Sequence, residues 1–289
     1  MSRAPLAIVT MVYNEPHHLP VWCRHYGDDV GPSACYIIDH GSDDGSTDHI
    51  SNFNHIRIPR SPQDDEKRTD FINQFCASLL SWYESVIYVD VDELLVADPA
   101  RHPSLTQFAQ TNTCPVVTAI GLDLIHRPEH EKPLNNIHPL LPQRRHARFS
   151  SAMCKPVLIR APITWAPGFH CHAEAAPQFN APLFLFHTRY ADLHAGLERL
   201  HRTRTQAWCS EHAGQHQRLQ DQDWENMLRS MAGLPIIPCA LTLDAPQLRQ
   251  YLNAVTDSTL SRHHERYRLD LHISGEALWH VPERFLGAL

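Results

Sequence analysis

A chain of 289 residues, 43% hydrophobic and 20% charged, has enough apolar surface for one large folded unit or a domain with an appendage, and is not a disordered chain. The formal charge of −7 leaves no electrostatic footprint for nucleic acid, and no apolar run approaches the ~20 residues that span a bilayer. The opening Met-Ser-Arg-Ala-Pro has no signal-peptide pattern, so a cytoplasmic protein is expected.

Leu6 to Val12 predicts a first buried strand, and it leads into Tyr13-Asn14-Glu15-Pro16. His18 to Asp28 sets Leu19, Val21, Trp22 and Tyr26 at helical spacing. Ala34 to Ile38 predicts a second strand that runs into Asp39-His40-Gly41-Ser42-Asp43-Asp44-Gly45-Ser46-Thr47-Asp48. Strand, helix, strand implies parallel neighbours joined by a right-handed crossover. Pro59 to Arg68 is polar and charged and reads as a loop. Phe71, Phe75, Leu79 and Trp82 then predict a helix over 71–83. Ser85 to Val89, β-branched and aromatic, predicts a buried strand ending in Asp90-Val91-Asp92-Glu93, and Asp98-Pro99 stops that unit.

Ser104 to Thr111 predicts a short helix and Val116 to Ile125 a strand. The Pro- and His-rich stretch 126–151 is expected to be a long loop, the kind of segment that carries binding work. Strands are expected at Pro156 to Arg160, Ile163 to Ala166 and Leu183 to His187. Beyond Asp192, Leu193, Leu197 and Leu200, then Trp224, Met227, Leu228 and Met231, then Leu248, Tyr251, Leu252 and Val255 predict a helical region. Eight scattered cysteines form no C-x-x-C pair and read as buried free thiols rather than a zinc cage.

The three polar segments, Asn14-Glu15, Asp39 to Asp48 and Asp90 to Glu93, all follow strands. Ligands of open α/β sheets bind beyond the carboxyl ends of the strands, so one crevice can collect all three. Asp90 and Asp92, two apart on extended backbone, point the same way and can hold a hard divalent cation. An acidic loop is the plainer reading of the same pair. Asn14 and Glu15 before Pro16 also suit a helix cap, and Asp-Gly-Ser-Thr is good turn chemistry by itself.

The first strand ending in Tyr13-Asn14-Glu15, the doubled turn Gly41-Ser42-Asp43 and Gly45-Ser46-Thr47-Asp48, and Asp90-Val91-Asp92-Glu93-Leu94-Leu95 resemble, in this order, family 2-type glycosyltransferases of the GT-A fold. The branch related to the family 92 enzymes is the nearest in pattern. The resemblance covers roughly residues 5–100, with weaker matches at Gln143-Arg144, Lys155-Pro156, Gly168-Phe169-His170 and Phe186 to Tyr190. It implies an α/β fold, a GT-A type Rossmann-like mixed sheet flanked by helices with a C-terminal helical region. Residues 1–98 would be the nucleotide-sugar-binding half, 99–191 the half that completes the acceptor and metal sites, and 192–289 the helical region. The implied activity is metal-dependent, inverting, hexosyltransferase-like transfer from a nucleoside-diphosphate sugar, UDP-linked, to a glycan or glycoconjugate acceptor, with Mn²⁺ or Mg²⁺.

On that resemblance Thr10, Asn14 and Glu15 edge the nucleotide pocket, and Asp39 accepts a hydrogen bond from the base. Asp90 faces the ribose and Asp92 is a direct metal ligand, with Glu93 anchoring their loop. A third ligand is expected from His187, favoured for its cleaner strand, or His170. Arg144, Lys155 and Arg189 are candidate phosphate partners. The base that takes the acceptor's proton is expected at Glu174 or Asp123. Trp165, Trp208 and Trp224 are candidate sugar-stacking faces, with core burial favoured for Trp224. Two other readings stay open. A sugar-nucleotide pyrophosphorylase would want a Gly-rich N-terminal phosphate loop, and residues 8–20 hold no glycine. A non-catalytic nucleotide- or glycan-binding protein would keep the fold alone.

Overall fold

The computed structural model describes residues 3–260 and 269–289. Strands β1 (Ala4–Val12), β2 (Cys35–Asp39), β3 (Asn54–Arg57) and β4 (Tyr83–Tyr88) are parallel, in the order β3-β2-β1-β4. Helix α1 (His18–Val30) links β1 to β2, and α2 (Asp65–Leu79) leads into β4. The chain steps from β1 through β2 to β3 on one side and then returns to place β4 on the other. The gap between the ends of β1 and β4 is therefore the switch point at which such sheets bind ligands. Register aligns the strand ends, Val12 beside Asp39 and Val9 beside Tyr88, so the three polar segments emerge together.

After β4 the chain builds β5 (Glu93–Ala97), α3 (Leu105–Thr111), β6 (Val116–Thr118), β7 (Ile120–Leu124), β8 (His146–Phe149), β9 (Pro156–Ile159) and β10 (Leu183–His187). It ends with α4 (Leu193–Thr205), α5 (Asp221–Ala232), β11 (Ile236–Pro238), α6 (Pro246–Leu260) and β12 (Leu278–His280). β9 and β6 extend the first sheet with antiparallel pairing. A second mixed sheet runs β11-β12-β8-β7-β10-β5. The fold is α/β, with two mixed sheets flanked by helices. Among the described residues no helix is long and apolar enough to cross a membrane.

The second sheet is where the sequence reading falls short. The apolar run 116–125 is not one strand: it changes sheets at Ala119, whose N–H donates to the Lys155 carbonyl. Gly121 is needed just beyond, because a Cβ there would stand 2.4 Å from the Met153 and Ser150 backbone. β5 went unread because it follows β4 through the Asp90–Glu93 turn, closed by Glu93 N–H donating to the Asp90 carbonyl (3.0 Å). The acidic pair is thus the corner where the chain passes from one sheet to the other. The 163–166 segment makes only a bridge between Trp165 and His172, and the C-terminal region adds β11 and β12 to its helices.

Helix α2 starts six residues before the predicted 71, inside the expected loop. Asp64 caps it by accepting from the Glu66 and Lys67 N–H groups, and Asp65 and Glu66 favour its positive end. Its buried stripe is Thr69, Ile72, Cys76 and Leu79, whereas Trp82 lies beyond the helix and is 74% exposed. This start matters because it puts Arg68 in the first turn, facing β4. Helix α1 buries Leu19, Trp22 and Tyr26. The Tyr26 hydroxyl donates to the Glu93 carbonyl and accepts from Leu95 N–H, both at 2.9 Å, so the helix fixes the free edge of β5.

Candidate active site at the strand ends

The doubled turn after β2 is knitted to the end of β1. Asn14 N–H donates to Ser42 Oγ (3.0 Å) and Glu15 N–H to Ser46 Oγ (3.3 Å), so both halves of the turn are used. Asn14 adopts a left-handed φ of 53° and exchanges hydrogen bonds with Asp43. The helix-cap reading of these residues does not hold: α1 is preceded by His17, and no side chain caps it. Thr10 is fully buried, its hydroxyl without a partner, so it sits under the crevice rather than on its edge.

Asp39 is fully buried and takes a structural part. Its carboxylate accepts from Ser42 N–H (2.7 Å), Arg57 (2.8 Å) and His55 (3.2 Å). With these donors in place the carboxylate has no accessible face, so the expected contact with a base would need Arg57 or His55 to move. Burial alone would raise its pKa; the Ser42 bonds, His55 and Arg57 outweigh that and hold it below the usual carboxylate value. Asp39→Asn is expected to destabilise the fold by about 1.5–3 kcal/mol, the worth of a hydrogen bond to a charged group. A depressed folded pKa means stability that is present above the unfolded value of ~3.9 and lost as pH falls through the folded one. The stability gap between wild type and variant, from urea melts, should therefore narrow in acid; a constant gap down to pH ~2 would exclude this account.

Asp90 and Asp92 emerge from β4 into a dense ion-pair cluster. Asp90 accepts from Lys155 Nζ (3.1 Å), the Tyr88 hydroxyl (3.1 Å) and Arg68, while Lys155 also meets Glu93 (2.5 Å). Glu93 Oε2 accepts from Asp90 N–H (3.0 Å), the loop-anchoring role the resemblance implies. Asp92 accepts from His187 Nε2 (3.1 Å) and from Arg199, whose Nε reaches Glu15 Oε1 at 2.8 Å. Burial alone would raise both aspartates' pKa values. Arg68 and Lys155 hold Asp90, and Arg199 and His187 hold Asp92, well below the carboxylate range. Glu93 goes the other way, raised by burial and by its aspartate neighbours against the pull of Lys155.

Arg68 and Arg199 were not singled out from sequence. Arg68 lay in a stretch read as loop, and nothing in a helical pattern tells an inward Arg199 from a solvated one. Arg199 ties the middle of α4 across the crevice. The chain beyond α4 continues the cover: Gln63 N–H donates to the Ala207 carbonyl (2.8 Å) and Cys209 N–H to the Gln63 carbonyl (3.0 Å).

The other predicted residues divide. His187, at the end of β10, stands against Asp92, and its Nδ1 donates to Asp123 Oδ1 (2.6 Å). Burial alone would lower the His187 pKa, but Asp92 and Asp123 push it up to about 9. His170 instead donates from Nδ1 to the Ala152 carbonyl (2.7 Å). Arg144 is corrected from phosphate partner to scaffold: it is 1% exposed and donates to the carbonyls of Ala191, Gln143 and Lys132 and to Asp192. Arg189 is half-buried, 5.9 Å from the Tyr190 ring. Both base candidates have partners in the structure. Asp123 holds His187, and Glu174 accepts from Thr164 N–H (2.9 Å) and His172 (3.0 Å). Trp165 and Trp224 are buried core residues; Trp208 is half-buried and donates to the Thr203 carbonyl.

Among the described residues no three His, Cys, Asp or Glu side chains gather as a complete metal cage. The pair His187 and Asp92 fits part of one once His187 gives up the Nε2 proton that it donates to Asp92. Their facing atoms are 3.1 Å apart, the spacing of adjacent ligand atoms on one ion with bonds of ~2.1 Å. The Asp123 carboxylate behind His187 is the outer partner that a metal-bound imidazole takes. Arg199 supplies positive charge to the same Asp92 oxygen.

No protein-family model matches the chain, and no curated protein is similar to it. Among solved structures it is similar to the glucosyl-3-phosphoglycerate synthase from Mycobacterium tuberculosis in complex with Mg²⁺ and uridine diphosphate, at 15% sequence identity and a TM-score of 0.33. The similarity covers 58% of this chain and 61% of that one, less than two thirds of its length.

Proposed function

We propose that this chain is a GT-A type glycosyltransferase that moves a sugar from a nucleoside-diphosphate donor to a hydroxyl group of a glycan or glycoconjugate. The observation that carries the reading is the convergence, at the switch point of a parallel sheet, of Asp90 and Asp92 with Arg68, Lys155, Arg199 and His187. A departing diphosphate needs its charge neutralised at the moment the sugar–oxygen bond breaks, and preorganised cations supply this most effectively where water is excluded. Arg68 and Lys155, both on Asp90, form one wall of such a site and Arg199, on Asp92, the other, with Arg189 kept as a candidate phosphate partner. Asp92 and His187 would hold a divalent ion, Mg²⁺ or Mn²⁺, with remaining positions left to phosphate oxygens and water, the arrangement usual for Mg²⁺. When bound, that ion supplies Lewis-acid stabilisation of the leaving group. Inverting stereochemistry, which calls for a carboxylate base such as Glu174 or Asp123, and a uridine base are part of the same proposal, as the resemblance implies.

The test is thermal shift with UDP, GDP and CMP, each with and without Mn²⁺ or Mg²⁺. One diphosphate is expected to stabilise the protein in a metal-dependent way. Absence of any nucleotide response, or an equal response without metal, sinks the reading. The same assay on Asp123→Asn tests the outer partner: metal affinity should drop roughly 10–100-fold, because the imidazole is no longer oriented. Unchanged metal affinity would return Asp123 and His187 to a purely structural pair.

A further inference from the structure

A hollow of about 210 Å³ lies between α1 and the first two turns of α4, beside the Asp90–Glu93 turn. Buried Val91 and Leu94 form its floor; His17, Asn136, His194 and Glu198, all more exposed, ring its mouth. His17 Nε2 donates to Glu198 Oε2 at 2.5 Å, closing the rim between the two helices. The hollow shares a wall with the carboxylate cluster. His18, which lines it, reaches Glu15 at 3.1 Å, and Thr188, which also lines it, donates to the Asp92 carbonyl at 3.0 Å. Asp90, Arg68 and Lys155 are not among its lining residues, so it lies on the Asp92 side of the site.

Its chemistry is distinctive. No lysine or arginine lines it among the described residues. Of its two carboxylates, Asp192 is committed to capping α4 and to Leu134 N–H (2.7 Å), and Glu198, paired with His17, is the one at the mouth. An apolar floor under imidazole, amide and carboxylate groups suits a ring with an apolar face and hydroxyls at its edge. A phosphorylated or carboxylated ligand would meet Glu198 with no lysine or arginine in the lining to bind it. The volume is below the ~300–1,000 Å³ of pockets for drug-sized molecules, so one ring fills it. Val21, Leu94 and Leu140 also line a larger hollow of about 540 Å³ further along α1, which gives a longer chain somewhere to run.

We propose that the hollow between α1 and α4 seats the terminal ring of an uncharged saccharide, which in the transferase reading above is the acceptor. Only the word acceptor depends on that reading; neutral-ring binding does not. Saturation-transfer NMR with the methyl α-pyranosides of glucose, galactose and mannose, alongside glucose 6-phosphate, tests it on the full chain. At least one methyl glycoside should receive saturation, and glucose 6-phosphate should receive none. Ala195→Leu, which pushes a larger side chain into the hollow, should weaken the glycoside by about tenfold or more. Glu198→Lys, a change at an exposed position, should admit glucose 6-phosphate and does not depend on the first variant folding. Silence from all three glycosides, equal binding in Ala195→Leu, or preference of the wild type for the phosphate overturns the proposal. A UDP and Mn²⁺ thermal shift on the same samples reports the donor reading separately, so the two cannot fail unnoticed together.

Discussion

Asp92→Asn is expected to lose metal-dependent nucleotide binding and, unlike a surface carboxylate change, to lose stability as well. From sequence alone the substitution reads as neutral for the fold, because a strand-end aspartate next to a ligand site carries no visible structural duty. In the structure Asp92 is 5% exposed and serves two cations, Arg199 and His187. An amide cannot balance either, and breaking a buried pair by removing one partner typically costs 3–5 kcal/mol, so about that loss is expected. Urea melts without metal read the stability term, and calorimetric titration of the nucleotide with and without Mn²⁺ reads the binding term. A variant as stable as wild type would show that the cluster is solvated in solution. A stable or unstable variant whose nucleotide affinity still responds to Mn²⁺ would remove Asp92 from the metal site.

The strands that carry the site were legible because β-branched runs between turn signals are the strongest local pattern a sequence has. β1, β2 and β4 fall within a few residues of their expected bounds, and β10 falls on them. What could not be read was the change of sheet. Asp90–Glu93 and Ala119 both lie within or beside continuous apolar stretches, and periodicity does not record that the strand on either side pairs with different neighbours. The side chains around Asp92 were hidden for a related reason. His187 lies 95 residues from it and 64 from Asp123, and each looked like a separate strand-end residue until the second sheet brought them together. Arg144 failed in the opposite direction. An arginine beside a family-like motif suggested phosphate, whereas its guanidinium ties the 126–145 segment to the start of α4 through carbonyls that no sequence pattern displays.

Arg199→Ala is the sharpest test of what the cluster is for. Arg199 joins Glu15 and Asp92, 7% and 5% exposed, which without it would face each other across the crevice with only His18 and His187 beside them. Burial would raise the pKa of each, and Arg199 is the largest influence opposing that in both. In metal-free buffer the variant should therefore lose about 3–5 kcal/mol, with α4 no longer tied to the ends of β1 and β4. Divalent metal should then act differently on the two proteins. If the guanidinium stands in for an ion at Asp92, its removal vacates that position, and Mn²⁺ alone should stabilise the variant more than the wild type. Free ion at a hundred times its dissociation constant would restore about 2.7 kcal/mol. Arg199→Lys separates charge from shape: its ammonium keeps a positive group near the carboxylates, so its gain with Mn²⁺ should be smaller than that of the alanine variant. If Mn²⁺ stabilises Arg199→Ala no more than wild type, the carboxylates do not form an ion site even when freed, and Arg199 is the permanent counter-charge of a site that handles phosphate with arginine and lysine alone.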